Sequence, residues 1–151
     1  MSREHDHGMS VVVKTVTRLT VGLILLYGIY IVLHGHVTPG GGFAGGVIIA
    51  LSFVHLVLGF GKETAFKKLD ENATGFFEGF GALLFLALAL AGLSSGGHFF
   101  LNLFKEQGEP FKLVSAGIIA PCNIAISLKV SAGLFSIFIA LTVLRPESEN
   151  K

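Results

Sequence analysis

The chain has 151 residues and a formal net charge of +1, with 52% hydrophobic and 14% charged residues and a mean hydropathy of +0.73. Soluble domains carry about 25% charged residues, so charge is depleted here as in a chain that sits in lipid, and the near-neutral balance offers no basic surface to nucleic acid. The single cysteine, Cys122, excludes an internal disulfide and a multi-cysteine metal site.

Met1 to Ser10 is short and polar, with Arg3, Glu4, His5, Asp6 and His7. The apolar run after it, residues 11–33, contains no Ala-x-Ala-like cleavage site and reads as a retained anchor. A spanning helix needs about 20 mostly apolar residues. This run supplies them, with Lys14 and Arg18 close enough to its start to snorkel.

His34-Gly35-His36-Val37-Thr38-Pro39-Gly40-Gly41-Gly42-Phe43-Ala44-Gly45-Gly46 then leads into a second span over residues 43–60. Pro39 fixes φ and can open a helix, where its missing N–H costs nothing. The glycines remove side chains, so other backbones can approach. Gly42, Gly46 and Ala50 recur every four residues, the spacing of a small-residue packing face. No Gly-Lys-Ser/Thr follows, so the segment is not a phosphate cradle. His34, His36, Thr38, Pro39, Gly40, Gly41, Gly42, Phe43, Gly45 and Gly46 therefore read as a structural and docking motif. Two histidines without further ligands nearby give no metal site. His55, within the second span, either hydrogen-bonds a neighbouring helix or acts as a proton relay, since histidine titrates near neutrality.

The third span covers residues 75–93, with Glu78 on a face of small residues, Gly75, Gly81, Ala82, Ala89 and Gly92. Glu78 reads either as an intramembrane group or as a first-turn acid that offsets the helix dipole. The last apolar stretch, residues 113–144, is interrupted by Pro121 and Lys129. It is either one helix kinked near Pro121, or an interfacial piece followed by a span that starts near Pro121. Both leave one crossing. The expected fold is all-α, one membrane domain over residues 1–151 with four transmembrane helices and the last kinked near Pro121.

A charge in hydrocarbon costs a few kcal/mol. Lys129 shares its face with Cys122, Ala125, Ala132, Gly133, Ser136 and Ala140, so it points into a helix contact or hydrated cavity, or else snorkels to the surface. Glu78 lies about one turn from the start of its span, whereas Lys129 lies roughly 24 Å from Arg145 at 1.5 Å per residue. That difference in depth predicts separate partners rather than a salt bridge. Asn123, Ser127 and Ser131 form a polar stripe that either bonds across helices or lines a hydrated path. The candidate ion-path residues are Glu78, Lys129, Asn123, Ser127 and His55; Pro121 joins the structural set.

Arg3, Lys14, Arg18, Lys62, Lys67, Lys68, Arg145 and Lys151 lie on one side of such a layout, against Lys105 and Lys112 on the other. Positive residues favour the cytoplasm, so both termini are expected there. No internal repeat is visible, which counts against a complete secondary transporter. Nor does the sequence hold a nucleophile–base arrangement or a cofactor fingerprint, so neither an enzyme nor a cofactor is expected.

Taken in order, the glycine motif, Phe77-Glu78-Gly79-Phe80-Gly81-Ala82 and Pro121-Cys122-Asn123-Ile124 leading to Leu128-Lys129-Val130 resemble the B subunit of Mrp-type multisubunit cation/proton antiporters, the MnhB domain. The resemblance spans nearly the whole chain. It implies a small, multi-pass subunit of a bacterial inner membrane that works in a hetero-oligomer exchanging Na+ for H+ and contributes to pH homeostasis. Its implied partners are the other subunits, membrane lipid and the two ions. The residues matching the family pattern are His34, Thr38, Pro39, Gly40, Gly41, Phe43, Glu78, Pro121 and Lys129. A self-sufficient homo-oligomeric channel or carrier and a purely structural scaffold are the alternatives.

Overall fold

The structure is a computed structural model that describes residues 9–61, 71–94, 96–104 and 115–143. Within them the chain is helical: α1 (Val11–Leu33), α2 (Gly42–Phe60), α3 (Glu71–Ser94) and α4 (Ile119–Val143). Each is long and apolar enough to cross a membrane. The charged connectors that set the expected orientation, Arg3, Lys62, Lys67, Lys68, Lys105, Lys112, Arg145 and Lys151, fall outside the described residues.

Local chemistry explains the helix limits. The Ser10 hydroxyl accepts from the Val13 N–H at the start of α1, satisfying a donor that the first turn leaves free. At the far end of α1, Thr38 donates its hydroxyl to the His34 carbonyl at 3.0 Å. Gly41, at φ +102°, caps α2, a conformation that a side chain would strain. Pro39 therefore does not open α2, as the sequence suggested. It sits in the connecting loop, and Gly42 is the first helical residue.

Pro121 also takes a role different from the expected kink. It lies in the first turn of α4, which begins at Ile119. Among the described residues no helix stands ahead of it to bend, and a first-turn proline forfeits little hydrogen bonding. Residues 115–118 form turns; Leu113 and Val114 are outside the described residues. The span that starts near Pro121 is thus the arrangement present.

The helices stand in a row, in the order α1, α2, α4, α3. Substantial packing joins α1 to α2, α2 to α4 and α4 to α3, while α1 touches α4 only lightly. Glycines set the register. A Cβ on Gly28 would lie 3.3 Å from the Gly45 carbonyl, and Thr17 is buried against Gly59, so α1 and α2 run antiparallel. A Cβ on Gly42 would come within 2.5 Å of the Asn123 carbonyl, and one on Gly46 within 3.0 Å of that of Ser127. Those contacts make α2 and α4 parallel. Below them, Val57, Phe135 and Ile139 form a buried apolar cluster, joined by Phe53, Val54 and Phe138. Tails of lipid are as apolar as leucine, so close backbone approach, not hydrophobic burial, holds such helices together.

One segment departs from helix at the glycine-loop end. After Ser94 the chain turns back along α3, and Phe100 donates its N–H to the Ala89 carbonyl at 3.2 Å. The Phe100 ring sits 5.3 Å from that of Phe85. Asn102 then ties the segment to the start of α4, its Oδ1 accepting from the N–H groups of Phe104 and Ile118.

Candidate functional site

Lys129 and Glu78 meet. Lys129 Nζ lies 3.7 Å from Glu78 Oε1, with the two side chains 53% and 43% exposed. The expected separation in depth fails for two reasons. Helix α3 begins at Glu71, a full turn before the expected start, so Glu78 is in its third turn and not a first-turn acid. The ends of α3 and α4 are also not level. A Cβ on Gly81 would meet the backbone N of Lys129 at 2.8 Å, and one on Gly133 would lie 3.6 Å from the Glu78 carboxylate. Gly81 therefore brings α3 onto α4 at the register that closes the ion pair.

The pair is deep. At 1.5 Å per residue, Glu78 stands about 10 Å from the start of α3 and Lys129 about 15 Å from the start of α4. The pair lies beyond hydrogen-bonding distance, so each group keeps hydrogen-bonding capacity that the other does not use. The Lys129 backbone thus lies in the α3–α4 contact at Gly81, while its half-exposed side chain stands at the edge of the seam beside an opposite charge.

The remaining candidates lie elsewhere. Ser127 is buried, with its hydroxyl donated to the Ile124 carbonyl at 2.8 Å, and its backbone lies against Gly46. Ser131 bonds back to Leu128 in the same way. Asn123 reaches the glycine loop, where its Oδ1 accepts from the Gly42 N–H at 3.2 Å. Its Nδ2 is buried without a hydrogen-bond partner among the described residues. Asn123 and Ser127 thus belong to the α2–α4 seam, about a third of a turn or more around the helix from Lys129.

His55 bonds α1, with its Nε2 at 2.9 Å from Thr20 Oγ1. The Thr20 hydroxyl also lies 3.0 Å from the Val16 carbonyl. His34 stacks on Tyr30, ring centroids 4.1 Å apart, and its Nδ1 donates to the Tyr30 carbonyl at 3.0 Å. A carbonyl only accepts, so Nδ1 carries the proton. His36 is half-buried in the same loop, Thr38 bonds back to His34, and Gly40 and Phe43 are exposed. Among the described residues no group of three or more His, Cys, Asp or Glu side chains could hold a metal.

Sequence reasoning missed Thr20 as the partner of His55, Gly28 as the close approach of α1 to α2, and the returning segment after α3. The last has a visible signal: Gly96-Gly97 followed by the apolar cluster Phe99-Phe100-Leu101-Asn102-Leu103-Phe104.

A family described as a domain related to the MnhB subunit of Na+/H+ antiporter matches residues 12–142. The chain belongs to the MnhB-related family. Among its relatives, an uncharacterized protein of Methanocaldococcus jannaschii is 41% identical over 74% of this chain and 44% of its own length. A Staphylococcus aureus protein carried under the name of antiporter subunit mnhB2 is 42% identical over 39% of this chain and 42% of its own. A chain in the structure of the membrane-bound sulfane sulfur reductase, an archaeal respiratory membrane complex, is similar with TM-score 0.73 and 34% identity, covering 91% of this chain and 60% of that one. This MnhB-related chain thus spans less than half the length of those two sequence relatives. It is a multi-pass membrane protein.

Proposed function

We propose that the chain is a small, non-catalytic subunit of a multisubunit monovalent cation/proton antiporter driven by the proton motive force. It holds neighbouring subunits together and lines part of a hydrated ion route with Glu78 and Lys129. The Glu78–Lys129 pair carries this reading. Two opposite charges deep in the spans and half exposed are tolerated against water or protein, not against lipid tails. The family description supplies the transport class, with Na+ and H+ as the exchanged ions. Asn123, Ser127 and the glycine motif serve assembly, and His55 fastens α1 to α2. The lysines and arginines of the connectors favour a cell-membrane location with both termini cytoplasmic.

The likeness to a chain of an archaeal respiratory complex favours one second reading: the same subunit serving an ion-translocating respiratory assembly instead of a stand-alone antiporter. Everted vesicles carrying the whole assembly test both. Glu78→Gln and Lys129→Gln are expected to leave the assembly intact by blue-native electrophoresis while lowering Na+-induced proton efflux. Unchanged efflux with intact assembly overturns the ion-route role, and loss of assembly in both variants assigns the pair to scaffolding. Ion movement that requires an added electron donor favours the respiratory reading.

A further inference from the structure

We propose that the open edge of the α3–α4 seam, from the Glu78–Lys129 pair up to the returning segment Gly96–Phe104, is the docking surface for a transmembrane helix of another subunit. This rests on the hetero-oligomeric reading above and names the face it uses. Glu78, Phe85, Ala89 and Gly92 fall within about 60° of one another on a helix of 100° per residue, so the ion pair and the returning segment lie along one stripe of α3. Toward the glycine-loop end, the segment covers the upper part of that stripe. Phe100 bonds to Ala89 and packs on Phe85, about 7 Å below the end of α3 at Ser94.

Lipid tails do not suit the charged end of this edge, and water alone does not suit the rest. Irregular backbone, wherever it enters the hydrocarbon region, is covered by protein or a water-filled cavity and not by lipid. The side chains of the same segment, however, are large and apolar: Phe99, Leu101, Leu103 and Phe104 are all exposed. In water that apolar area would be uncovered. A protein surface meets both demands, since it can offer apolar contact to those rings and polar groups to the backbone and the ion pair. Phe100 also holds φ +60°, a left-handed conformation that is strained for a residue with a Cβ. A built segment tolerates this where surrounding contacts fix it.

The same logic specifies the partner's chemistry. Neither Glu78 nor Lys129 has another polar partner among the described residues. The incoming helix therefore carries small residues for close approach and a polar side chain (carboxylate, amide or hydroxyl) level with Lys129. The opposite face of α3, with Phe76, Leu83 and Leu90 exposed, is apolar over most of its length and suits lipid.

Photocrosslinking in the assembled complex tests the assignment. p-Benzoylphenylalanine is placed at Phe99, Leu103 or Phe104, with Leu83 as the lipid-side control, and irradiated in native membranes before purification. Expected is a shifted band from the three seam positions, mapped by mass spectrometry to a transmembrane helix of a co-purifying subunit, and none from Leu83. Adducts to a second copy of this chain, adducts to lipid alone, or equal protein adducts from Leu83 overturn the assignment. If the unmodified chain purifies with no other membrane subunit, the hetero-oligomeric reading itself falls. If it co-purifies but crosslinks only from other faces, the docking surface alone is wrong.

Discussion

Neutralising one member of the Glu78–Lys129 pair strands the other charge in the membrane, at about 3 kcal/mol on insertion scales. Neutralising both removes the charges and their mutual attraction together. Glu78→Gln and Lys129→Met are each expected to lower the unfolding temperature in detergent more than the double variant does. Additive losses in that cycle would show that the two groups are not coupled. Asn123 makes a different kind of contribution. Its Oδ1 satisfies the Gly42 N–H at the start of α2, and Asn123→Ala leaves that donor without a partner, at a cost of about 1–2 kcal/mol. Thermal unfolding of the purified assembly reads that loss, and an unchanged midpoint would remove Asn123 from the cap. Asn123 and Ser127 were visible as polar residues from the sequence, but their partners were not. A serine in a helix can bond to the preceding turn of its own backbone, and Ser127 does so. Its presence in a stripe therefore carries no information about water.

At the level of helices, not all glycines are equivalent. Gly42 and Gly46 sit where α2 meets the backbone of α4, whereas a Cβ on Gly75 or Gly79 would meet nothing within 4 Å. Gly42→Ala and Gly46→Ala are expected to destabilise the isolated chain by about 1–3 kcal/mol through overpacking. Gly79→Ala is expected to be neutral or to stabilise it by up to about 1 kcal/mol through helix propensity. Comparing unfolding midpoints of the three variants checks this, and equal effects would contradict the seam. The spans were legible because apolar length alone reports a crossing, and the residue 11–33 run coincides with α1. Spacing of the glycines revealed that close packing occurs, but not its direction: Gly45 faces α1 while Gly42 and Gly46 face α4. The ion pair was not legible because its register depends on two things outside a local reading. One is the start of α3 at Glu71, where the sequence is polar. The other is the offset that Gly81 imposes on α4.

For the molecule as a whole, consecutive helices pack together, α1 with α2 and α3 with α4, and the two pairs join through α2 and α4. On the proposed function, the purified chain alone in liposomes is expected to give no Na+-dependent proton movement, while the reconstituted assembly does. Flux from the chain alone would favour a self-sufficient carrier. The returning segment after α3 shows in the sequence as Gly96-Gly97 followed by an apolar cluster, but its contacts with Ala89 and Phe85 depend on tertiary packing that local sequence does not report.

The single-file order of the helices sets a limit on what these spans can enclose. Four helices arranged as a wall have two broad sides and no lumen between them, so the described helices cannot by themselves surround a column of water. Any conduit that touches Lys129 and Glu78 must borrow its opposite bank from another polypeptide. Opening or closing such a passage would then be a matter of how that neighbour leans against the wall, and a change made there could alter ion movement without altering a single contact within this chain.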